Sequence, residues 1–97
     1  MVRIFKLKSI NIYSDSNNHY IVHNTNKPFE SGHTHIKNFN TAKYLAYLVT
    51  YNKIPKKGQL SNYLIDSLIR LTSSQPYLTK LNTIKKIEIN KKEQRHE

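Results

Sequence analysis

Apolar and polar residues alternate through the first third of the chain, then apolar residues recur at three- and four-residue intervals. Strands are therefore expected first and helices after. Residues 2–13 (Val-Arg-Ile-Phe-Lys-Leu-Lys-Ser-Ile-Asn-Ile-Tyr) alternate, but the preferred parity changes. Phe5, Leu7 and Tyr13 share one parity, while Val2, Ile4, Ile10 and Ile12 share the other. Because a period of two fixes the sheet face, this change predicts a bulge or a break near Lys8-Ser9. Ser14-Asp15-Ser16-Asn17-Asn18 is a turn cluster whose side chains bond their own backbone, and His19 to His23 reads as the returning strand of a hairpin. Asn24 to Gly32 reads as loop, with Pro28 lacking a ladder donor, and His33 to Ile36 as a short third strand.

The helical period then takes over. Asn40-Thr41 suits an N-cap, and Leu45, Leu48 and Val49, with Ala42 alongside, form the core stripe of a helix from Thr41 to Asn52. Pro55 ends it, and Gly58 in Lys56-Lys57-Gly58 suits a left-handed turn position. A second helix is expected from Leu60 to Leu71. Leu60, Leu64, Leu68 and Leu71 share a face with Ile65 and Ile69 beside it, an arc wide enough to be contacted from two sides. Ser74 and Pro76 recap the chain, and Leu78, Leu81 and Ile84 suit a third helix, although Ile87-Glu88-Ile89 also fits a strand.

These elements predict an α+β fold, in which an N-terminal antiparallel β-hairpin or small three-stranded sheet packs against a helical hairpin plus a C-terminal helix. Residues 1–90 are expected as one domain and 91–97 as a charged tail. The expected core is Phe5, Leu7, Ile21, Leu45, Leu48, Val49, Leu64, Leu68 and Leu71.

Composition narrows the function. The chain has 97 residues, of which 37% are hydrophobic, so its core is modest and its seven tyrosines must supply part of the apolar area. Without cysteine it has neither a disulfide framework nor thiolate chemistry, which fits the reducing cytoplasm expected as its location. No apolar run reaches the roughly 18 residues of a membrane helix, and Met1 to Lys6 lacks a signal-peptide layout, so the N-terminus reads as the start of a cytosolic protein with no membrane partner. Lys outnumbers Arg, and Asn and Ile are abundant, a bias that AT-rich codons produce and that suggests a low-GC bacterium or its phage.

The net charge of +10 is unevenly placed. Between Glu30 and Asp66 there is no acidic residue, while Lys37, Lys43, Lys53, Lys56 and Lys57 fall there. Such one-sided charge points to a polyanion or an acidic protein surface as partner. Lys makes point-charge phosphate contacts rather than bidentate base contacts, so nucleic-acid binding would lean non-specific. Tyr44, Tyr47 and Tyr51 cluster in one sector of the first helix, roughly 120° from the centre of the core stripe. They suit a base-stacking surface, a protein interface or homodimer contact, or a cover for the core edge. The two helices have the outline of a helix-turn-helix, yet the second presents only Asn62, Asp66, Ser67 and Arg70 outward, which excludes sequence-specific readout. Lys53, Lys56 and Lys57 at the turn can still hold phosphates.

His19 and His23, and likewise His33 and His35, share strand faces. With no cysteine and only Asp15 and Glu30 nearby, no metal and no other cofactor is expected. His33 and His35 with Lys37 would suit a metal-independent ribonuclease as an alternative. The basic run Lys85, Lys86, Lys91, Lys92 and Arg95 reads as a solvated face or an electrostatic arm. The leading expectation is a non-enzymatic accessory protein that binds nucleic acid through Lys37, Lys43, Lys53, Lys56 and Lys57 with Tyr stacking. A protein-interaction module stands as the rival.

Overall fold

A computed structural model describes residues 1–15 and 18–89, without the side chains of Glu88 and Ile89. Ser16 and Asn17 of the expected turn, and the expected tail 91–97, lie outside the described residues. Four strands, β1 (Val2–Leu7), β2 (Ile10–Asp15), β3 (His19–Asn24) and β4 (His33–Ile36), form an antiparallel meander in the order β1-β2-β3-β4. Three α-helices follow, α1 (Phe39–Tyr51), α2 (Asn62–Leu71) and α3 (Gln75–Ile84), and a π-helical turn over Lys85–Ile89 continues the last. The α+β class is as expected, with one strand more than the three foreseen.

The extra strand comes from the parity change. Lys8 and Ser9 form a tight reversal between the paired Leu7 and Ile10, with Lys8 in the left-handed region at φ 52°. A separate bulge lies at Ile4, where the register shifts between Arg3 and Phe5. The two irregularities place Phe5 opposite Ile12, and Ile12 opposite Val22, on the face that the helices cover. Ile10, Ile12, Val22 and Ile36 are therefore the sheet's contribution to the core. Phe5 is half-buried against that core, and Leu7 is half-buried at the edge. Ile21 is buried at 4% exposure, but alternation puts it on the opposite face, between Tyr13 and His35.

Both α1 and α2 lie on one sheet face, and α2 also packs against α3, so it is contacted from two sides as its wide apolar arc predicts. Leu45, Leu48, Val49, Leu64, Leu68 and Leu71 join one cluster with Ile65, Tyr77 and Leu81. The caps sit slightly away from the expected positions. Asn38 caps α1 through its bond to Thr41 N at 3.0 Å, Ser61 caps α2, and Ser74 caps α3 as expected. Gly58 is not left-handed, because Asn52 takes that conformation directly after α1 and its N–H bonds Leu48 O.

Side chains from the end of β3 and from the β3–β4 loop bond the carbonyls at the end of α2. Asn24 Nδ2 donates to Leu71 O at 2.8 Å, and Lys27 Nζ donates to Arg70 O at 2.8 Å and Thr72 O at 3.3 Å. A lysine here also complements the negative end of the helix dipole. In the other direction, Arg70 donates from Nε to His33 O at 2.7 Å and from Nη2 to Glu30 O at 3.2 Å. Arg70 thus braces the loop and the edge of β4.

Candidate nucleic-acid interface

Every third or fourth residue of a helix returns to the same side, so Phe39, Lys43, Tyr47 and Tyr51 follow one another along α1. Tyr47 and Tyr51 are 46% and 44% exposed, with ring centroids 5.4 Å apart and planes inclined by 56°. Lys43 Nζ lies 5.0 Å above the Phe39 ring, and Lys8 Nζ from the β1–β2 turn lies 5.4 Å above the Tyr51 ring. Such ammonium–ring contacts contribute about 0.5–1 kcal/mol at exposed sites. Phe39 is held in turn by Phe5, edge-on at 6.4 Å, and by Tyr20 at 5.5 Å. The result is a ridge of three rings with the Lys43 and Lys8 ammonium groups set against its two ends, carried on a helix whose opposite side is locked into the core.

The structure divides the residues singled out in the sequence. Lys43, Tyr47 and Tyr51 share the ridge. Tyr44 turns toward the core and packs against it, so it leaves the stacking set. Its position near Tyr77 is also felt electrostatically. Burial first, and Tyr44 second, push the Tyr77 phenol far above the usual range. Lys53, Lys56 and Lys57 are exposed on the connection that leaves the end of α1, with Lys57 opening a 3-10 turn. The start of this connection is fixed, since Lys53 N donates to Leu48 O at 2.9 Å and Tyr77 OH donates to Lys53 O at 2.6 Å. Lys37 stands apart from the ridge, between β4 and α1 beside His35.

Lys8 and Phe39 belong to the ridge and were missing from the sequence reading. Phe39 lies only four positions before Lys43, so the helical period could have found it. Lys8 is brought to Tyr51 across 43 residues by the hairpin turn, and no local pattern shows that.

The histidines have defined surroundings on the open sheet face. His33 stacks on Phe29 with centroids 4.2 Å apart and planes 7° apart, and its Nδ1–H donates to Phe29 O. His23 donates from Nε2 to Lys27 O at 3.1 Å. His35 meets His33 edge-on at 5.0 Å. Among the described residues, no group of three or more His, Cys, Asp or Glu side chains is placed to hold a metal ion. Nor is any described helix long and apolar enough to cross a membrane.

Asp66 of α2 accepts an ion pair from Lys85 Nζ at 2.6 Å, with both side chains about half exposed. Pairs of this kind contribute at most about 1 kcal/mol, but the contact partly offsets the one negative charge that α2 presents. With Arg70 engaged by backbone carbonyls, α2 has no free guanidinium to read bases. Comparison with protein-family models, with curated proteins and with solved structures finds no match for this chain.

Proposed function

We propose that this chain is a non-catalytic binder of single-stranded nucleic acid, with the α1 ridge as the base-contacting surface and the lysines around it as phosphate contacts. The observation that carries this reading is the exposed Tyr47–Tyr51 pair flanked by Lys8 and Lys43. Stacking of bases on such rings tolerates any sequence, because every base has a π-face, and lysines track the backbone without selecting bases. Lys53, Lys56 and Lys57 extend the positive surface from the end of the ridge. Lys37 lies on another side of α1 and is left out of this surface.

Anisotropy titration of labelled single-stranded DNA, RNA and duplex DNA at two salt concentrations tests the proposal. Tight binding to the single strands that weakens steeply with salt supports it, because counterion release drives such complexes. Absence of binding at low salt would refute it and leave docking on an acidic protein surface, a use for which exposed tyrosines are also suited. Chelator-resistant RNA cleavage lost in both His33→Ala and His35→Ala would replace it with the ribonuclease reading.

A further inference from the structure

Where β4 gives way to α1, a cleft of about 380 Å³ opens, lined among others by His19, His35, Ile36, Lys37, Thr41 and Tyr63. The volume lies within the roughly 300–1,000 Å³ of small-molecule sites. Its walls are mainly carbon, and Ile36 is part of the core. The Tyr63 ring is held at the cleft by its hydroxyl, which donates to His35 O at 3.0 Å. The ring is otherwise largely exposed, and the partial burial of the hydroxyl raises the Tyr63 pKa.

The polar groups of the cleft are neutral or basic, and Asn38, Thr41 and Tyr63 are the uncharged ones. His19 from β3, His35 from β4 and Lys37 supply basic nitrogen, and none of the lining residues is acidic. A small inorganic anion would leave the carbon walls uncovered, and an uncharged ring would make no use of the Lys37 ammonium, which is exposed at the cleft. A planar ring joined to a phosphate uses both, since the ammonium of lysine is an established kind of phosphate contact and flat rings stack on phenol and imidazole.

We propose that this cleft is a nucleotide site, with the base against Tyr63 and the imidazoles and the phosphate on Lys37. It is a different surface from the α1 ridge. Thr41 and Lys43 are two residues apart on the helix, about 200° around its axis, so cleft and ridge lie on opposite sides of α1.

A ¹H–¹⁵N chemical-shift titration of the full chain with adenosine monophosphate, adenosine and inorganic phosphate tests the site. The monophosphate should saturate at or below about 1 mM and shift the amides of His35, Lys37, Thr41 and Tyr63, with adenosine and phosphate each at least about tenfold weaker. Lys37 is exposed, so Lys37→Ala should fold normally. It should weaken the monophosphate about tenfold while leaving adenosine unchanged; Lys80→Ala on α3 should alter neither. Phosphate binding as tightly as the monophosphate, a titration that does not saturate, or shifts centred on Tyr47 and Tyr51 would each overturn the proposal. A 5′-phosphorylated oligonucleotide that shifts the same amides identifies the site with a strand end, and one that does not identifies it with a free nucleotide. Tyr47→Ala should leave the monophosphate titration unchanged, so failure of the ridge and failure of the cleft are read separately.

Discussion

The Tyr77 hydroxyl donates to Lys53 O at 2.6 Å, so a buried ring of α3 fixes the first lysine of the basic connection between α1 and α2. Its phenol pKa is raised, chiefly by burial. A raised folded-state value means that the folded protein holds the proton more tightly than the unfolded chain. This stabilisation is complete below the ordinary phenol value of about 10 and is lost as pH rises toward the folded-state value. Denaturant midpoints should therefore fall above about pH 10, and Tyr77→Phe should flatten part of that fall. The same substitution should cost about 1 kcal/mol at neutral pH, read from the same denaturation curves.

Replacing Lys53, Lys56 and Lys57 together by Ala should reduce the slope of log affinity against log salt by about 2 for single strands, at roughly 0.7 per phosphate contact. The slope is measured between about 50 and 200 mM salt. An unchanged slope would move the phosphate contacts away from this connection.

The ridge predicts unequal effects among the tyrosines. Tyr47→Ala and Tyr51→Ala should each weaken single-strand binding by about 1–3 kcal/mol, with smaller losses on duplex. Tyr44→Ala should instead lower the denaturation midpoint, because Tyr44 packs on the core. Anisotropy and thermal melts of the three variants separate the two outcomes. Equal losses on single strand and duplex would remove the stacking argument.

The loop between β3 and β4 leaves no room at Gly32. A Cβ there would lie 2.6 Å from Lys27 Cβ and 3.1 Å from Pro28 O. Gly32→Ala should cost about 1–3 kcal/mol, the range for overpacked sites. Asn24→Ala should cost a similar amount, about 1–3 kcal/mol, because it leaves Leu71 O, at the buried end of α2, without its donor. Chemical denaturation checks both, and a neutral Gly32→Ala would show that Lys27 can move aside.

Helices were the most legible part of the chain. The leucines of α2 and the Leu45/Leu48/Val49 stripe report their burial through local spacing alone, and Ser74 announced its cap. The sheet was harder to read. The parity change was visible, but its resolution into a reversal at Lys8-Ser9 and a bulge at Ile4 depends on cross-strand pairing, which no single strand encodes. Ile21 was expected in the core for the same reason: its burial is real, yet it lies on the face away from the helices.

The sequence by itself determined the α+β class, the helical stripes and the acid-free positive segment. Each follows from spacing or composition over a few residues. Tertiary structure alone decided that Tyr44 packs against the core while Tyr47 and Tyr51 stay exposed, that Lys8 completes the ridge, that Arg70 and Lys27 brace the fold, and that Lys37 meets His19, His35 and Tyr63 in a cleft. The physical reason is separation along the chain. Local period records which side of an element is apolar, whereas contacts between elements depend on how turns, bulges and packing bring distant residues together.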